Sequence, residues 1–163
     1  MVSRVIPVAP FDLVVFGATG DLARRKILPG LFHRFEVGQM PPEARVIGVA
    51  RSDMDTAGFR DLIRDSLIEF AERAGDSAET VEAFLDKLSY VCVDATGEKG
   101  WKELAGLLRD EAVRAFYLSV SPSLFGPIAD RLQDHGIATA QSRIVVENPF
   151  GRDLASAREL NET

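Results

Sequence analysis

The chain has 163 residues, 46% hydrophobic and 27% charged, with 19 Lys plus Arg against 25 Asp plus Glu for a formal net charge of −6. This length suits one domain that buries roughly 70% of its unfolded surface, and it excludes a large two-domain enzyme for this chain alone. A pI near 5.0 argues against the broad basic face that nucleic acid or an anionic membrane requires, while leaving room for a small basic pocket.

The opening segment MVSRVIPVAPFDLVVFG holds one Arg and two prolines that interrupt any signal-peptide core. No stretch approaches the ~18 apolar residues of a membrane span, so the expected compartment is the cytoplasm. Phe11 to Phe16 is short, apolar and stopped by Gly17, the pattern of a buried strand. Leu28, Leu31, Phe32 and Phe35 follow at helical spacing and end at Gly38, with Pro29 expected to kink that helix or to start a second segment of it. Ala44 to Ala50 reads as the second strand, and Phe59, Leu62, Ile63, Leu67, Phe70 and Ala71 mark a long helix. A further helix begins near the capping segment Ser77-Ala78-Glu79-Thr80 and carries Val81, Phe84, Leu85 and Leu88.

Tyr90 to Val93 is the third predicted strand; within it Cys92, the single cysteine, is expected as a buried inert thiol. One cysteine supports neither a disulfide framework nor a Cys-based metal cluster, and no metal is expected. A helix over Trp101 to Leu108, a strand over Ala115 to Val120, a helix from Phe125 to Leu132 capped at Gly136, and a strand over Arg143 to Glu147 complete the alternation. A last helix starts around Asp153 and keeps its stripe through Leu154, Ala157 and Leu160 with no Gly or Pro stop before Thr163, which reads as a cut. Five strands joined by helices predict an α/β fold: one doubly wound parallel sheet of Rossmann type, helices on both faces, order 3-2-1-4-5, as a single domain over 1–163.

The first strand runs directly into Gly17-Ala18-Thr19-Gly20-Asp21-Leu22-Ala23. A pyrophosphate at a helix N-terminus needs bare backbone and free N–H groups, which suits Gly17 for the turn, Gly20 for close approach and Ala23 for helix–strand packing. The spacing departs from G-x-G-x-x-G, and the plain alternative is a strand-to-helix turn in which glycine relieves strain. Its place after the first strand favours a dinucleotide. At the end of the second strand Arg51 and Ser52 stand where NAD binders usually place a carboxylate; a guanidinium suits a 2′-phosphate, with Thr19 adding a hydroxyl. NADP is therefore the expected coenzyme, with NAD left open by Asp53. Arg24, Arg25 and Lys26 oppose the helix dipole, which an anionic ligand would explain; taken alone, the run reads rather as a solvated basic patch.

Chemistry beyond coenzyme binding is harder to find. Tyr90 and Tyr117 are followed four residues later by Asp94 and Ser121, so neither forms a Tyr-x-x-x-Lys pair. His33 lies two turns into the first helix and His135 beside the Gly136 cap, both better read as structural. Alcohol oxidation needs a base for the hydroxyl proton, and the sequence offers none.

Phe16 to Lys26 closely resembles the coenzyme motif of glucose-6-phosphate dehydrogenases, and the resemblance continues through Ile47–Arg51, Phe116–Pro122 and Val146–Gly151. It implies oxidation of glucose 6-phosphate to 6-phosphogluconolactone with hydride transfer to NADP, opening the pentose phosphate pathway. It further implies that Gly17, Ala18, Thr19, Gly20, Asp21, Leu22, Ala23 and Arg24 wrap the pyrophosphate, with Thr19 and Arg51 near the 2′-phosphate. Asp94, Ala95 and the segment around Tyr117 to Val120 would lie beside the coenzyme, Lys26 would point toward substrate, and Pro149 would couple the two sites. The family's Glu-Lys-Pro lysine, which contacts substrate and the nicotinamide end, is replaced here by Asn148, so substrate handling and turnover are expected to be weaker. The resemblance also implies that the catalytic His–Asp pair and the dimerising β+α domain lie outside this chain, which would then be the coenzyme domain, inactive alone. The rival readings are an NAD(P)-sensing module without chemistry and, more weakly, a short-chain dehydrogenase.

Overall fold

The computed structural model describes residues 11–40, 43–70, 78–109, 112–138 and 142–146. The elements in chain order are β1 (Phe11–Phe16), a π-helical turn (Ala23–Ile27) continuing into α1 (Leu28–Glu36), β2 (Arg45–Ala50), α2 (Thr56–Phe70), α3 (Ala78–Leu85) and β3 (Leu88–Cys92). They continue with α4 (Trp101–Leu107), β4 (Val113–Leu118), a 3-10 turn (Pro122–Leu124), α5 (Phe125–Asp134) and β5 (Arg143–Val146). All four strand pairings are parallel and the order is β3-β2-β1-β4-β5, as expected.

Parallel neighbours require long crossovers, and here the crossovers cover both faces of the sheet. Val15, Val46, Leu88 and Tyr90 point to one face and pack with Ile27, Leu28 and Phe32 ahead of and within α1, Phe59, Ile63 and Leu67 of α2, and Phe84 of α3. Val14, Phe16, Ile47, Val49, Val91 and Phe116 point to the other, against Trp101 and Leu104 of α4 and Ile128 and Leu132 of α5. Burial on both sides explains why β1 and β2 are apolar runs rather than alternating ones.

Pro29 stands in the first turn of α1, the second segment that was one of its two expected outcomes. A proline ring presses on the carbonyl four residues back and has no N–H to offer. The chain answers with the wider π turn just before it, closed by the Leu28 N–H on the Ala23 carbonyl, and the helix runs on. Both predicted glycine caps form. At the end of α5, Gly136 (φ +66) donates to Gln133 O at 3.1 Å and Ile137 to Leu132 O at 2.8 Å, and Gly38 and Gln39 repeat the pattern after α1.

The strand limits moved for a physical reason. β3 covers Leu88–Cys92 rather than 90–93, and β4 covers Val113–Leu118 rather than 115–120. Val93 is buried and Val120 packs against the core just past the last ladder pairs, so burial outruns the ladder at the ends facing the crevice. Cys92 is half-buried rather than buried. Glu147 of the predicted fifth strand, Ser77 of the capping segment and the predicted helix near Asp153 lie outside the described residues.

Candidate functional site

β1 connects onward to β2 on one side, while the chain returns through β4 on the other, so a crevice opens beyond the carboxyl ends of β1 and β4. Open α/β sheets bind ligands at such switch points. A cavity of about 410 Å³ lies there, within the usual size of a small-molecule site. Its walls are Phe16, Gly17, Thr19 and Gly20 after β1, Val49 to Ser52 at the end of β2, Val93 and Ala95 after β3, Ser119 to Ser121 after β4, and Leu124 and Ile128 on the α5 side.

Gly17 is required by this crossing. Its φ is +81, and a Cβ would stand 2.0 Å from the Ser119 carbonyl oxygen, so no other residue lets the turn cross the end of β4. The N–H groups of Gly17 and Ala18 both donate to Val49 O, at 2.8 and 3.1 Å. That commits both N–H groups to the sheet. Arg24 N–H closes the first helical turn on Gly20 O at 3.1 Å, so the N–H groups of Asp21, Leu22 and Ala23 have no carbonyl behind them in the helix. These are the ones that can meet an anion.

The side chains divide further. Ala18 and Ala23 are fully buried against the α1–α3 face of the core and contribute packing. Asp21 is exposed and ion-paired with Arg25 at 2.9 Å, which answers part of the puzzle of cations at a helix start. Arg24 is half-buried, and its Nε is buried with no hydrogen-bond partner among the described residues. Lys26 is exposed on the π turn and does not line the cavity. Tyr117 packs against the α1–α3 cluster, while its neighbours Ser119 and Val120 reach the cavity.

At the coenzyme-discriminating end, Thr19 Oγ1 meets Ser52 Oγ at 3.2 Å and ties the glycine turn to the end of β2. Arg51 is exposed, lines the cavity and has no side-chain partner among the described residues. Asp94 accepts hydrogen bonds from the Thr96 N–H at 3.1 Å and hydroxyl at 3.2 Å, so its carboxylate orders its own loop. That loop borders a smaller cavity of about 170 Å³ formed with Arg51, Cys92, Val93 and Lys99. Trp101 Nε1 donates to Asp94 O at 3.0 Å, and His135 stacks on Trp101 while lying 3.5 Å from Glu98. His135 is thus a structural residue behind the loop, and His33 is exposed on α1. Among the described residues, no three His, Cys, Asp or Glu side chains gather to hold a metal ion. No helix among them is long and apolar enough to cross a membrane. Asn148 and Pro149 lie outside the described residues.

Sequence reasoning missed Tyr90. Its hydroxyl lies 2.6 Å from Ser52 O and 3.1 Å from Ala50 O, holding the segment that carries Arg51. Burial first, then the neighbouring Cys92 and Asp53, pushes the phenol up to about 12. A single polar atom at the tip of an apolar strand residue was the only available signal.

A glycine turn crossing the central strand end, an adjoining helix start with free N–H groups and a cationic β2 terminus define a Rossmann-type dinucleotide-binding domain. The chain belongs to the family described as glucose-6-phosphate dehydrogenase, NAD binding domain, whose sequence profile matches residues 14–163. The glucose-6-phosphate 1-dehydrogenase of Rhizobium meliloti is 47% identical across 100% of this chain and 34% of its own length. That of Mycolicibacterium smegmatis is 42% identical over 96% of this chain and 33% of its own. Among solved structures, the Mycobacterium avium glucose-6-phosphate 1-dehydrogenase superposes with a TM-score of 0.79 at 32% identity, covering 94% of this chain and 33% of that one. A glucose-6-phosphate dehydrogenase in complex with glucose-6-phosphate gives 0.74 at 32% identity, covering 93% and 33%. The chain therefore spans about a third of the length of the relatives it matches.

Proposed function

We propose that this chain binds NADP in the crevice beyond β1 and β4 and presents it for oxidation of glucose 6-phosphate to 6-phosphogluconolactone. The observation that carries this reading is the pairing of a bare glycine turn with a guanidinium, Arg51, that has no side-chain partner among the described residues, on the same cavity. The pyrophosphate would be held by the free N–H groups of Asp21 to Ala23, with Gly17 and Gly20 keeping the approach clear of side chains. Arg24 fits the same group, because its buried Nε lacks an acceptor that a phosphate oxygen would supply. Arg51 and Thr19 would meet the 2′-phosphate, and Ala95 and the Asp94 loop would flank the coenzyme. NAD would lack the group that Arg51 recognises and would bind more weakly. When bound, the nicotinamide accepts the hydride; the chain supplies orientation and electrostatics.

The described walls of the cavity contain no imidazole or carboxylate, so no base for the sugar hydroxyl is at hand there. The reading therefore gives this chain coenzyme binding and assigns the sugar chemistry, and the contacts between subunits, to segments of the family beyond the matched third. Lys26, Asn148 and Pro149 are proposed to face the substrate, in a cytoplasmic enzyme. Calorimetric titration tests the coenzyme assignment: NADP should bind at least about tenfold tighter than NAD. Equal affinities, or a margin that survives Arg51→Ala, would defeat it.

A further inference from the structure

The end of β2 is fastened by the neighbouring strand through three consecutive carbonyls. Ala50 O accepts the Val93 N–H at 2.9 Å and lies 3.1 Å from the Tyr90 hydroxyl. Arg51 O lies 3.4 Å from Cys92 Sγ, and Ser52 O accepts the Tyr90 hydroxyl at 2.6 Å. With these carbonyls turned toward β3, Arg51 and Ser52 line the cavity, and Ser52 Oγ meets Thr19 Oγ1 at 3.2 Å. Tyr90 is a fixed post for this purpose. It is only 5% exposed, its ring stacks on Phe59 with centroids 5.2 Å apart, and its N–H donates to Thr56 Oγ1 at 3.1 Å.

We propose that Tyr90 is the positioning residue for coenzyme discrimination: its hydroxyl, donated to Ser52 O with Ala50 O close by, presets the backbone from which Arg51 meets a 2′-phosphate. The proposal rests on the assignment of Arg51 to that phosphate. Arg51 is a long, exposed side chain that loses freedom when it engages a ligand, so a wandering backbone beneath it would add to that cost. Tyr90 touches no ligand itself. Its action is confined to the group NADP has and NAD lacks.

Tyr90→Phe keeps the ring, the stacking and the core contacts and removes only the hydroxyl. Titration with NADP and NAD should give an NADP-to-NAD affinity ratio lowered about fivefold, with NAD affinity unchanged within about twofold. A general structural role would weaken both coenzymes together, and that result would overturn the proposal. In an Arg51→Ala background, Tyr90→Phe should leave the ratio where it is, because the group it positions is gone. If Arg51→Ala abolishes the preference while Tyr90→Phe retains it, Tyr90 has no such role and the Arg51 assignment stands. If neither variant changes the preference, the Arg51 assignment itself fails. Cys92→Ala, which takes away the thiol contact to Arg51 O and spares the aromatic core, gives a second arm with an expected drop of about twofold. An unchanged ratio there and in Tyr90→Phe contradicts the proposal.

Discussion

The two ends of one sheet are built from the same strands on opposite principles. At the amino ends, Asp12 of β1 is fully buried and takes Arg45 of β2 at 3.0 Å and Arg109 at 2.7 Å, with the Arg109 N–H at 2.9 Å. Further guanidinium N–H groups of the two arginines donate to the carbonyls of Phe11, Glu43 and Leu107. Past the carboxyl ends, β1 and β2 lead into Gly17 and Arg51, and there the Arg51 guanidinium and the Arg24 Nε have no partner among the described residues. Charge that is satisfied internally holds a fold together, whereas charge left unpaired near a cavity is available to a ligand. Burial acts on Asp12 to raise its pKa, and the arginine hydrogen bonds outweigh it, so the carboxyl sits below its ordinary 3.8.

Substitutions at the two ends should therefore separate stability from binding. The largest effect is expected for Asp12→Ala. Leaving two cations around an empty buried site should cost about 3 kcal/mol, because Arg45 and Arg109 keep some access to water. Urea unfolding should show this as a lower midpoint, with NADP affinity unchanged where the protein is folded. Gly17→Ala joins the two ends' behaviours: a strained φ and a clash with Ser119 O should cost roughly 2 kcal/mol or more and weaken NADP as well. Loss of binding with full stability would break the argument that the turn needs glycine to cross β4. Arg51→Ala should lower NADP affinity about 10- to 100-fold, with stability within about 0.5 kcal/mol of the parent chain.

The smallest effects concern pH. The folded-state pKa of Asp12 is depressed, so its contribution is complete above the unfolded value near 3.8 and is lost as pH falls through the folded value. Acid unfolding curves of the parent chain and Asp12→Asn should converge below that pH, and parallel curves would contradict the ion cluster's role. Tyr90 shifts the other way, up to about 12. Of the two tyrosines, one should therefore ionise late in a spectrophotometric titration, and the stability its neutral form contributes should persist to about pH 10 and disappear as pH approaches 12.

Local chemistry carried most of what was legible in the sequence. Apolar runs, helical stripes and the stops at Gly38 and Gly136 act over a few residues and place the described elements to within a few residues, and the handedness of crossovers then gives the strand order. Gly17 was legible because a turn between a buried strand and a helix has few solutions. Pairings between distant residues were not legible. Asp12 and Arg109 stand 97 positions apart, and Tyr90 meets Ser52 across 38, distances over which no periodicity survives. The π turn before Pro29 was hidden for a different reason: a backbone can absorb a proline in more than one way. Likewise, the motif names Ala18 among the residues around the pyrophosphate without revealing that its N–H goes to Val49 O and its side chain into the core. A sequence motif records which residues surround a ligand without saying which of them face it.

The most direct test of the account is a crystal structure of this chain grown with NADP. The account predicts the pyrophosphate at the N–H groups of Asp21 to Ala23 and the 2′-phosphate within hydrogen-bonding distance of Arg51 and Thr19. A coenzyme bound elsewhere, or a 2′-phosphate left in solvent with Arg51 turned away, would contradict it.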